Sequence, residues 1–177
     1  YDKALEKMRS PDWAQQVLSA SRLESVFLTN DFDDPLEGFD TSLYIPCLRT
    51  DDLVFHLSKP EVRERLESST DVSISTPDSV RDALGKLFEH FKSNNARACA
   101  ISLPPDFAPR EVSDGRAQTA LDAILSDGVD ASASHKDALA SFVFWNLATQ
   151  CQQHKLPFDL MIGVNRGVYE AGVYQGQ

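Results

Sequence analysis

Apolar positions along the chain fall into two rhythms, and each rhythm predicts a kind of element. Four short continuous apolar runs predict strands: Val26 to Leu28, Leu43 to Leu48, Ala96 to Leu103 and Phe158 to Val164. Between them, apolar residues recur three and four positions apart. The clearest case follows Thr76-Pro77-Asp78, where Val80, Leu84, Leu87, Phe88 and Phe91 share one helical face and Asn94-Asn95 marks the end. Ser10-Pro11-Asp12 opens a helix with Trp13, Val17 and Leu18 on its inner face. Val62 and Leu66 predict a short helix from Glu61 to Ser68, behind Pro60. Ala117, Ala120, Leu121, Ile124 and Leu125 predict one from Arg116 to Leu125. Leu139, Phe142, Val143, Leu147 and Cys151 predict a long one from about Ser134 to Gln153, stopped before Pro157.

Strands separated by helices indicate an α/β fold, with parallel strands joined by crossover helices. Four such strands make either a small open sheet or half of a TIM-type (β/α)8 barrel, which takes about 250 residues. The 177 residues read as a single α/β unit over 1–177, with 1–24 a helical lead-in. Tyr1 to Arg9 reads as a helix with no cap at its start, and Tyr169 to Gln177 as a polar tail without an element. A partial barrel is therefore the expectation. Pro46 inside the second strand predicts an edge or an irregular position.

Charge narrows the partners. Lys and Arg number 17 against 27 Asp and Glu, a net charge of −10. Phosphate backbones and anionic membranes favour the opposite balance, so neither nucleic acid nor membrane is expected. No apolar run approaches the roughly 20 residues of a membrane span. Cys47, Cys99 and Cys151 lie far apart within apolar elements and read as buried thiols of a reducing, cytoplasmic compartment.

Parallel sheets place their ligands at the C-terminal ends of the strands. Here those ends are Thr29-Asn30-Asp31, Arg49-Thr50-Asp51-Asp52 and Asn165-Arg166-Gly167. Arg49 and Arg166 each directly follow an apolar strand, where a guanidinium can grip a carboxylate with two parallel hydrogen bonds. The competing reading is a structural ion pair with Asp31, Asp51 or Asp52. His56, His90, His135 and His154 form no HxH or HExxH pair, and there is no Gly-rich phosphate loop or GxSxG elbow. The acid-rich loop of Asp31, Asp33 and Asp34 lacks EF-hand spacing and reads as a solvated turn.

Taken in order, the motifs resemble those of the uronate isomerases of the amidohydrolase superfamily. VFLTNDFDDP, Val26 to Pro35, is similar to an apolar strand ending TTDDP, with two residues inserted. IPCLRTD, Ile45 to Asp51, is similar to LPTxRPD and keeps the proline, Arg49 and Asp51. Ala96 to Asp106 falls where the family has a Cys-containing strand ending SDHG, and LMIGVNR, Leu160 to Arg166, is similar to QLHIGALR. Two family histidines are absent: Ser102-Leu103-Pro104-Pro105 replaces SDHG, and Met161 stands at the other site.

The resemblance implies a central slice of a metal-dependent barrel that interconverts glucuronate or galacturonate with ketouronates. It implies no cofactor within this segment. The divalent, zinc-like metal of the complete protein would be held by an HxH strand before this stretch and an aspartate after it. It implies a small sugar acid as ligand, with Arg49 as carboxylate clamp, Arg166 second, and Asp31 ordering the loop. The base that moves the proton is not identified, and the segment alone is expected to be inactive. Its unpaired strand edges predict a second copy, or the remainder of the barrel, as partner. Three alternatives remain at this point: a non-catalytic sugar-acid-binding or structural homologue, another hydrolase of the superfamily, and an unrelated small α/β domain with flavodoxin-type strand order.

Overall fold

A computed structural model describes residues 2–162. Its elements follow in chain order as α1 (Asp2–Met8), α2 (Trp13–Ser21), β1 (Val26–Phe27), β2 (Tyr44–Ile45), β3 (Cys47–Arg49), α3 (Asp51–Phe55), α4 (Pro60–Thr70), α5 (Pro77–Ser93), β4 (Ala98–Leu103), α6 (Asp114–Asp127), α7 (Ala133–His154) and β5 (Phe158–Ile162). A single 3-10 turn, Gly128–Asp130, links α6 to α7.

Every strand pairing among the described residues is parallel. β1 pairs with β2, and β3 pairs with β4, which pairs with β5. A bridge from Asn30 to Leu48 carries the β1 side onto β3. The strands thus stand side by side in the order in which the chain makes them. A flavodoxin-type sheet reverses its order at a switch point; a barrel does not. This decides between the two architectures that the sequence left open. Among the described residues the sheet is open rather than closed into a barrel.

The predicted second strand is split into β2 and β3 at Pro46. Odd-numbered residues here turn their backbone groups towards β1: Leu28 N donates to Ile45 O, and Arg49 N to Asn30 O. Position 46 therefore faces the β4 side, one residue before the β3–β4 ladder begins at Cys47 and Ala98. A proline costs no ladder bond there.

Helices α2, α5 and α7 end alike. Arg22, Asn95 and Lys155 take left-handed backbone angles, with φ of 54°, 66° and 55°. The amides of Leu23, Ala96 and Leu156 bond back to Leu18 O, Phe91 O and Cys151 O. Each turn then delivers the chain into the next strand. Helix α5 starts on a capping box between Thr76 and Ser79, with Pro77 behind it.

The core lies between the helices and one face of the sheet. Leu48, Cys99 and Ile101 meet Leu84, Phe88, Phe142, Val143 and Leu147 there, all nearly solvent-free. The predicted stripe of α5 is buried in full. Cys47, Cys99 and Cys151 are free, buried thiols. The predicted inner face of α2 is not buried: no residue of α1 or α2 is, and Val17 is 37% exposed. Periodicity identifies a face but supplies no partner for it. Helix α3 was not anticipated, since its five residues are too few to show a period. The end of the fourth predicted strand at Val164 and the tail from Tyr169 lie outside the described residues.

Candidate functional site

The opposite face of the sheet is concave and holds an open pocket of about 500 Å³. Strand alternation selects most of its walls. Cys47 and Arg49 of β3, Ala98, Ala100 and Ser102 of β4, and Asp159 and Met161 of β5 line it. Helices α4 to α7 contribute nothing to it. A larger cavity of about 680 Å³ lies between the loop after β4 and the starts of α6 and α7. Its charged residues, Arg110, Arg116, Asp106 and Asp137, are of both signs and show no common direction. The concave face, at the strand ends, is the better candidate.

Arg49 is the last residue of β3, and its side chain is half exposed. Its Nε donates to Asp51 Oδ2 at 3.3 Å, and Nη1 lies 3.9 Å from Asp31 Oδ1. Asp51 is itself fixed, because its Oδ1 accepts from Ser102 N at 3.3 Å. Thr50, fully buried, ties the same corner to β4 by donating from both N and Oγ1 to Ala100 O, each at 3.0 Å. Arg49 is thus steered through Nε, while its two terminal nitrogens donate no hydrogen bond among the described residues. Apart from the long contact of Nη1 with Asp31, they are available to a carboxylate.

Arg65 on α4 shows the contrast. It was not singled out in the sequence, yet it carries the loop after β1. Nε and Nη2 donate to Asp33 Oδ2 and Oδ1 at 2.8 and 2.5 Å, and Nη1 donates to Asp52 Oδ2 at 3.1 Å. Its guanidinium lies 4.7 Å from the centre of the Phe32 ring. This bidentate bond holds the Asp33 carboxyl below the usual carboxylate range. All three nitrogens of Arg65 are used, so its role is structural. The acid-rich loop is therefore a bracketed turn rather than a freely solvated one.

Asn30 completes the bracket. It is buried, accepts from Cys47 N at 3.3 Å, and donates to Asp34 Oδ2 at 3.0 Å. Asp34 also accepts from Leu36 N, and its carbonyl lies 3.1 Å from His90 Nε2.

Of the residues expected at a ligand site, Arg49 and Asp31 come together at one corner of the concave face. Arg166 lies outside the described residues. The two positions where the uronate isomerase motifs lose their histidines are Met161, on β5 beside Ser102 of β4, and Pro104, just past the end of β4. His56, His90 and His154 sit on or at the ends of helices, away from the pocket. Among the described residues no three His, Cys, Asp or Glu side chains are placed to hold a metal. Cys47 faces the pocket, and burial, with the nearby Asp159 charge, pushes its thiol up to about 11.

No family model matches the chain, and no curated protein does. Solved structures do. A uronate isomerase from Thermotoga maritima aligns with a TM-score of 0.75 at 21% identity, over 89% of this chain and 36% of that one. A glucuronate isomerase from Caulobacter crescentus aligns at 0.78 and 13% identity, over 96% and 37%. A uronate isomerase from Bacillus halodurans aligns at 0.65 and 22% identity, over 99% and 38%. The chain spans little more than a third of the length of these structures. At such identities the likeness establishes a shared fold: this α/β stretch is built like one part of those larger chains.

Proposed function

We infer that the chain is part of a divergent uronate isomerase-like barrel whose concave face binds a small sugar acid. The observation that carries this reading is Arg49: a guanidinium at the C-terminal end of an inner strand, oriented through Nε by Asp51, whose terminal nitrogens donate no hydrogen bond among the described residues. Two parallel hydrogen bonds from that fork would fix the ligand's carboxylate and so set the position of the rest of its carbon chain. Asp31 would limit the swing of the guanidinium, and Arg166 is the second candidate for the clamp.

Aldose–ketose isomerisation of glucuronate or galacturonate by the complete barrel is the reaction that fits such positioning. It moves a proton between adjacent carbons and needs a base and an electrophile beside the clamp. A divalent metal would need donors that the described residues do not provide together.

Pro104 and Met161, standing where the family motifs carry proton-moving histidines, favour a second reading. On that reading the barrel binds a sugar acid without turning it over. Titration of the full-length protein with glucuronate and galacturonate, followed by an assay for ketouronate, tests both. Binding with turnover supports the isomerase, binding without turnover supports the second reading, and no binding rejects both.

A further inference from the structure

The sheet register places Arg49, Ala100 and Asp159 in one row across β3, β4 and β5. Two strand spacings separate the outer residues, about 10 Å between their backbones. All three line the concave pocket. Ala100 leaves the middle of the row open, and Ala98 does the same one layer below. The Asp159 carboxylate makes no ion pair among the described residues. Its negative charge faces into the pocket, where it also acts on the Cys47 thiol.

We propose that Asp159 is a specificity-determining residue that accepts hydrogen bonds from the hydroxyl groups of a sugar acid whose carboxylate is held by Arg49. This rests on the sugar-acid reading of the pocket and adds what distinguishes a hydroxylated acid from a plain one. A ligand spanning the row covers Asp159 and removes its water. A carboxylate stripped of water needs donors, and an uncompensated one is strongly unfavourable. Hydroxyl groups supply those donors, whereas methylene groups leave the charge unsatisfied. A second carboxylate at that end meets a like charge. The pocket therefore rejects plain acids and diacids by what they lack or add opposite Asp159.

The test is calorimetric titration of the full-length protein with glucuronate and with hexanoate, an acid of equal carbon count without hydroxyl groups. The wild type should bind glucuronate at least about tenfold more tightly than hexanoate. Asp159→Ala should bring the two affinities within about threefold of each other, chiefly by weakening glucuronate. Asp159→Asn keeps the shape and one acceptor oxygen, and should retain part of the preference. An undiminished glucuronate preference in Asp159→Ala overturns the role of Asp159 and leaves the Arg49 clamp standing. A wild type that binds neither acid overturns both.

Discussion

Arg65 holds Asp33 by two parallel hydrogen bonds, at 2.8 and 2.5 Å, from a helix that follows the strand-end loop in the chain. The pair fastens the loop after β1 to α4, beside the corner where Arg49 stands. Its effect on the site is indirect: it engages Asp33 and Asp52, and leaves Asp51 and Asp31 as the acids beside Arg49.

The pair makes stability acid-sensitive. Asp33 is held below its ordinary range in the fold, mainly by Arg65. Its contribution is complete above the unfolded carboxylate value of about 3.9 and is lost as pH falls through the lower, folded value. Arg65→Gln should cost about 1 kcal/mol at pH 7, a screened figure for a partly exposed pair. Urea midpoints of wild type and variant should converge as pH is lowered below about 4. A constant gap down to pH 2 would argue against the linkage.

Arg49→Lys should weaken glucuronate binding by about tenfold or more, because lysine lacks the planar fork. Stability should move by less than about 0.5 kcal/mol, as for a half-exposed residue whose two ion pairs, with Asp51 and Asp31, are long and screened. Titration alongside thermal melting checks both. Unchanged affinity removes Arg49 from the site.

Asn30→Ala should destabilise the chain by about 1–3 kcal/mol, since the Cys47 amide loses its acceptor in a buried position. The loop at Asp34 should loosen with it. Hydrogen exchange at Cys47 and Leu36 should quicken, and unaltered protection there would refute the bracket.

Cys47 should resist thiol reagents in the folded protein at pH 8, because the thiolate forms only near a pH of about 11. Its labelling rate should jump on unfolding in urea. Prompt labelling of the native protein would contradict the buried, neutral thiol.

Much of the architecture was legible in the residues, for identifiable reasons. Helix α5 has a single apolar stripe, a capping pair and a proline, which all agree. β4 is a plain apolar run, and the order of strands and helices indicated a parallel sheet. The split at Pro46 was visible as an irregularity but not as a break into two strands. The bracket of Arg65 and Asp33 was not legible, because nothing local announces a partner so distant in the chain. Asp159 was missed for a related reason. Inside Phe158 to Val164 it reads as one charge in an apolar run, and only its register with Ala100 places it across from Arg49. Arg49 stood out in the sequence because strand ends are where parallel sheets expose chemistry.

The four acids around the two arginines carry a kinetic consequence. Asp31, Asp33, Asp51 and Asp52 outnumber Arg49 and Arg65, on a chain of net charge −10. An approaching anion is therefore repelled at long range and attracted only at the last few ångströms. Added salt screens the first effect more than the second. Association of a sugar acid should then speed up with ionic strength, so that the entrance to the pocket, rather than the clamp inside it, sets how quickly the site fills.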